Sequence, residues 1–117
     1  MISMNSEGLA TCENAVNFFG DAQVGVAMEE SAELIRALSK YQRLRNGHPL
    51  ESISESDVMS NILEEVCDVA IMLEQLRLLL NIEADAIEAV MNAKLRRLHK
   101  YTEMAKAEKR EREKELY

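Results

Sequence analysis

Two short acidic strings hold the residues of this sequence that could do chemistry. The first reads Glu29-Glu30-Ser31-Ala32-Glu33 and the second Glu64-Glu65-Val66-Cys67-Asp68. Residues three and four apart lie on one face of a helix. Glu30 and Glu33 therefore share a stripe with Val26 and Ala37, and Glu65 and Asp68 share one with Ile62, Met72 and Leu76. Both acid pairs interrupt faces that otherwise read as packed. Burying unpaired carboxylates is costly, and four of them brought together by helix pairing would raise one another's pKa values. A hard divalent cation removes that conflict. Mg²⁺ and Mn²⁺ prefer oxygen ligands, and Mg²⁺ keeps several waters that a phosphate can replace. Glu30, Glu33, Glu65 and Asp68 are thus the candidate metal ligands. The competing reading is that these acids are solvated or paired with surface bases, as most such spacings on helices are.

A cage of this kind needs two helices side by side, and the remaining sequence supplies them. With 117 residues, one proline, four glycines and 4 % aromatics, the chain reads as a single all-α domain spanning residues 1–117. The pattern predicts a bundle of about four helices. The first runs from about Ser6 to Phe19 and stops at Gly20. Asp21 then caps a second helix that continues to about Leu44. Arg45 to Ser56 contains Asn46-Gly47 and Pro49 and reads as a loop. Ser54 followed by Asp57 suits the entry to a third helix. That helix carries Ile62, Val66, Val69, Leu73, Leu76 and Leu80 at helical spacing and ends at Asn81. A fourth starts near Glu83 and holds Ile87, Val90, Met91, Leu95 and Leu98. Residues 103–117 mix acids and bases with no apolar stripe and read as a solvated helical extension. A third helix of about 24 residues would be about 36 Å long. One thin bundle would leave apolar faces such as Leu76, Leu79 and Leu80 partly exposed, so the bundle is expected to be completed by self-association.

The formal charge of −7 argues against a nucleic-acid partner. The longest apolar runs, such as Val69 to Leu73, are too short to span a bilayer. The N-terminus lacks the layout of a signal peptide. Cys12 and Cys67 form no framework, and reduced thiols in the cytoplasm are expected. Di-iron bundles use Glu-x-x-His on inward faces. Here His48 follows Arg45 and His99 follows Arg96 at that spacing, so neither completes the motif, and His48 reads as a loop residue.

The ordered acidic strings resemble the signature of the MazG-like all-α nucleoside triphosphate pyrophosphohydrolases. Val26 to Leu34 is similar to that family's first motif helix and Asn61 to Val69 to its second. Asn92-Ala93-Lys94-Leu95-Arg96-Arg97 resembles the basic motif that follows. The likeness covers roughly Gln23 to Tyr101. The segment between the two acidic motifs is longer than the family standard, and its extra residues fall in the 46–56 loop.

Members of that family cleave a nucleoside triphosphate between its α and β phosphates, giving a monophosphate and pyrophosphate, in keeping with house-cleaning of the nucleotide pool. The resemblance implies Mg²⁺, with Mn²⁺ as a substitute, held by Glu30, Glu33, Glu65 and Asp68. Glu29 or Glu64 would order a water or accept its proton. Lys94 and Arg97, three apart on one helix, would present positive charge to phosphate oxygens. Asn92 would add an amide contact, and Gln23 would face the base or sugar. The family also implies a homodimer or homotetramer. Two other readings stand beside this one: a non-catalytic helical interaction or regulatory module, and a relative that binds nucleotide without turnover.

Overall fold

A computed structural model of the protein describes residues 3–47 and 54–116. Among them are four α-helices and no strand: α1 (Ser6–Phe19), α2 (Ala22–Arg45), α3 (Glu55–Leu79) and α4 (Ala84–Leu116). The all-α expectation holds. His48 and Pro49, assigned to the loop between α2 and α3, lie outside the described residues, as does Tyr117 at the end of the charged extension.

Local chemistry sets each helix end. The Asn5 side chain accepts the Gly8 N–H at 2.8 Å and starts α1. Gly20 ends it with φ +60°, a conformation that costs a glycine little, while its N–H donates to the Val16 carbonyl at 2.9 Å. Asp21 stands just before α2 but departs from the expected cap. Its backbone is already helical and its side chain makes no capping bond. The turn from α1 is so tight that backbone carbonyls do this work: Gln23 N–H donates to Gly20 and Val24 N–H to Asp21. The start of α3 is a full capping box, with the Ser54 hydroxyl accepting from Asp57 N–H at 3.1 Å and the Asp57 carboxylate accepting from Ser54 N–H at 3.4 Å. Asn81, at φ +55°, turns the chain out of α3.

The chain divides into two units, Met1–Asn81 and Ile82–Tyr117. In the first, α2 and α3 are the principal packed pair, and α1 lies chiefly against α3. The core is small: Cys12 and Val16 from α1, Ala27 and Ala37 from α2, Val58 and Met72 from α3. The Cys12 thiol points at the Ile71 carbonyl, 3.9 Å away, which fixes where α1 meets α3. Three contacts set the register of α2 on α3. Gln23 meets Gln75, Glu30 meets Asp68, and Glu33 lies with Glu65. Steps of seven and three residues forward along α2 match equal steps backward along α3, so the two helices are antiparallel. Both acid pairs therefore reach the same level of the interface.

The second unit is α4 by itself, 33 residues long and about 50 Å from end to end. All of its described side chains are exposed apart from the half-buried Ile87. Its charged extension is helical through Leu116, supported by the pairs Glu103–Lys106 and Glu111–Lys114. No helix among the described residues is long and apolar enough to cross a membrane.

Candidate metal centre

The antiparallel register brings carboxylates from two helices to one point. One oxygen from each of Glu30, Glu33 and Glu65 lies within 4.8 Å of the other two. Glu65 is buried, Glu30 half-buried and Glu33 exposed, so the cluster runs from the helix interface out to solvent. One oxygen of Glu30 and one of Glu65, Oε2 in each case, are buried with no hydrogen-bond partner. Such groups are costly unless something else satisfies them.

The electrostatics follow from the crowding. Burial pushes the Glu30 carboxyl above the usual range, and the negative charges of Asp68, Glu33 and Glu29 raise it further. A hydrogen bond to Asp68 also favours its protonated form. Burial likewise raises Glu65, reinforced by Glu33, Asp68, Glu30 and Glu64. Without a counter-charge, the site relieves its repulsion by holding protons. The Arg36 guanidinium approaches Glu33 at 3.5 Å, with both side chains exposed. A pair of that kind is weak and does not reach the buried oxygens of Glu30 and Glu65.

Of the four candidate ligands, the structure gathers Glu30, Glu33 and Glu65 into the mutually close trio. Asp68 adjoins Glu30 but is exposed and stands outside that trio. Glu29 and Glu64 are exposed at the edge of the cluster, near enough for their charge to act on Glu30 and Glu65 respectively. Gln23 lies two turns before Glu30 and is buried, its amide donating to the Gln75 carboxamide oxygen at 2.7 Å. Asn92, Lys94 and Arg97 belong to α4 and are exposed there.

The donor set is all carboxylate oxygen, which suits Mg²⁺ or Mn²⁺ better than a soft metal. The two orphaned, buried oxygens fit a cation that would satisfy them, and the exposed side leaves room for water and an anionic ligand.

Two buried groups were not singled out from the sequence. Gln75 pairs with Gln23, and Glu74 is 6 % exposed, held by Arg77 at 2.8 Å. The signal for Gln75 was available, because it lies seven residues beyond Asp68 as Gln23 lies seven before Glu30. Glu74 gave none, since an i, i+3 Glu–Arg pair reads as surface until α1 is seen to cover that side of α3.

Comparison of the chain with protein-family models, with curated proteins and with solved structures finds no match in any of the three.

Proposed function

We propose that the protein is a metal-dependent nucleoside triphosphate pyrophosphohydrolase, with Glu30, Glu33 and Glu65 holding Mg²⁺ or Mn²⁺ and Asp68 completing the set. The observation that carries this reading is the carboxylate trio whose oxygens lie within 4.8 Å of one another, two of its members each with a buried, unpartnered oxygen. The choice of reaction rests on the likeness of the two acidic helices and the Asn92–Arg97 string to the MazG-like family.

When bound, the cation supplies charge neutralisation and Lewis acidity toward the phosphate chain. The protein's own groups do the rest. The buried Glu65 and half-buried Glu30 would hold the cation from the helix interface, and the exposed Glu33 would hold it on the solvent side, from which the phosphate chain would approach. Glu29 or Glu64, exposed at the edge of the cluster, would orient a water and take its proton as it attacks phosphorus. The family resemblance implies that Lys94, Arg97 and Asn92 contact phosphate oxygens, Arg97 as a two-pronged donor and Lys94 as a point charge.

The test is pyrophosphate release from a panel of (deoxy)nucleoside triphosphates with Mg²⁺, Mn²⁺ or EDTA, for the wild type and Glu65→Ala. Metal-dependent release lost in the variant is the expected result. Absence of release from every nucleotide, with Mg²⁺ leaving thermal stability unchanged, overturns the proposal. That outcome favours the second reading, a helical interaction module, for which the bare apolar faces of α2 and α3 are the supporting observation.

A further inference from the structure

We propose that α2 binds the pyrophosphate end of the substrate on a row of three bases, Arg36, Lys40 and Arg43, that leads away from the carboxylates. Given the reaction proposed above, on which this assignment rests, the row takes the β- and γ-phosphates while the nucleoside end lies the other way, past Glu30. None of the three bases belongs to the acidic strings or to the Asn92–Arg97 string.

The row belongs to one side of α2. By helical rotation, Glu29, Glu33, Arg36, Lys40 and Arg43 fall within a sector of about 80°. Acids fill its first half and bases its second. Along the axis from Glu33, Arg36, Lys40 and Arg43 stand about 4.5, 10.5 and 15 Å away. Charge therefore changes sign just beyond the cation site, in the direction of the α2 C-terminus. Helical side chains lean toward the N-terminus of their helix, so Lys40 and Arg43 lean back toward that site. The opposite side of α2 is apolar, with Met28 and Ile35 69 % and 68 % exposed. Of the two sides, the row side is the one that offers countercharge to a phosphate chain.

Other partners do not consume these bases. Arg36, Lys40, Arg43, Arg45 and Arg77 are the only lysines and arginines in residues 1–81. Arg45 pairs with Glu55 at 3.6 Å and lies over the Tyr41 ring, and Arg77 is held by Glu74 at 2.8 Å. Arg36 approaches the exposed Glu33 at 3.5 Å. Lys40 and Arg43 have no carboxylate partner among the described residues. The antiparallel register accounts for this. With Gln23 level with Gln75 and Glu33 with Glu65, Ala37 comes level with Asn61 and Lys40 with Val58. The next acids toward the start of α3 are engaged, Asp57 in the capping box and Glu55 with Arg45. Lys40 is thus half-buried at a level of α3 that offers it no free carboxylate.

Compensation of the helix dipole does not account for the row. That effect falls off within the last turn, whereas Lys40 and Arg36 lie farther back from the end of α2 at Arg45. The spacing selects the ligand. Three bases spread over about 10 Å suit an extended chain of phosphates better than a single one. Arg36 and Arg43 can each grip two oxygens of a phosphoryl group, and Lys40 supplies a point charge between them. A nucleic-acid backbone long enough to cover the whole sector would meet Glu29, Glu30 and Glu33 at its other end and be repelled. A pyrophosphate group that begins at the cation is short enough to stay on the basic half.

Calorimetric titration of the full chain with inorganic pyrophosphate in excess Mg²⁺ tests this. The proteins are the wild type, Lys40→Gln/Arg43→Gln and, off the row near the same helix end, Arg45→Gln. The expected result is a pyrophosphate affinity lowered at least thirtyfold in the double variant and less than threefold in Arg45→Gln. Mn²⁺ affinity and helical circular dichroism should be unchanged in both. In the double variant KM for whichever triphosphate the wild type hydrolyses should rise at least tenfold, with inhibition by the monophosphate product unaltered. Should the double variant fail to fold, Arg43→Gln, at an exposed position, must lower pyrophosphate affinity at least threefold by itself. A wild type that binds no pyrophosphate overturns the row. So does a double variant that binds it as the wild type does, or an Arg45→Gln variant that loses as much. The reaction can fail separately: a wild type that binds pyrophosphate through the row yet releases none from any nucleotide keeps the row and sinks the pyrophosphohydrolase reading.

Discussion

Replacing Gln75 by leucine should destabilise the protein far more than replacing both Gln75 and Gln23. The Gln23 amide donates to the Gln75 carboxamide oxygen at 2.7 Å, and the two residues are 8 % and 5 % exposed. Removing one partner leaves the other's polar group buried without a mate, at a cost of about 1–3 kcal/mol, whereas replacing both by apolar groups of similar size is close to neutral. At the middle of that range the single variant loses about 2 kcal/mol. For a domain of this size each kcal/mol lowers Tm by roughly 4 °C, giving a fall of roughly 8 °C. The double variant should lie within roughly 2 °C of the wild type by the same conversion. The assay is thermal unfolding by circular dichroism at one protein concentration, without metal, because ligand and self-association both shift Tm. The pair sits two turns from the carboxylates in the same register, so Mn²⁺ affinity measured on the same variants should weaken wherever the helices slip. Single variants that melt with the wild type, or a double variant whose loss is the sum of the two singles, would refute a buried pair that sets this register.

Three further outcomes follow from the geometry. Glu30 and Glu65 have carboxyls raised above their ordinary values, so over that range the folded state holds more protons than the unfolded state, and metal-free stability must fall as pH rises through it. A pH series of melts with EDTA should show that decline, and Glu65→Gln should flatten it while raising Tm at neutral pH. Adding Mg²⁺ should restore stability most at neutral pH and least in acid, where protons already occupy the site; equal shifts at both would contradict a shared site. Ser54→Ala removes half of the capping box at the start of α3 and should cost about 1 kcal/mol, with hydrogen exchange quickening at the Asp57 amide and not in the middle of the helix.

The helix ends were largely legible because they rest on local chemistry. Gly20 and the Ser54/Asp57 pair each act within a few residues of themselves, and the sequence shows both partners. Asp21 misled for the complementary reason: a short turn let backbone carbonyls take the donors that its side chain would have capped. The acidic stripes were readable as periodicity, and the structure bears out that Glu30, Glu33 and Glu65 converge. What periodicity could not supply was the level at which α2 meets α3. A slip of one turn leaves every stripe intact yet moves Asp68 relative to Glu30, and Asp68 is the acid that stands outside the close trio. The burial of Glu74 was hidden for a similar reason, since it depends on where α1 crosses α3, a contact between residues as distant in sequence as Cys12 and Ile71.

The central claim is that the carboxylate cluster is a divalent-cation site, and calorimetric titration of the metal-free protein with Mn²⁺ at neutral pH tests it most directly. Saturable binding, with protons released as buffers of different ionisation heat reveal, and an affinity lowered at least tenfold by Glu30→Gln and by Glu65→Gln, is the predicted result. No saturable binding, or an affinity that both folded variants keep, would contradict it.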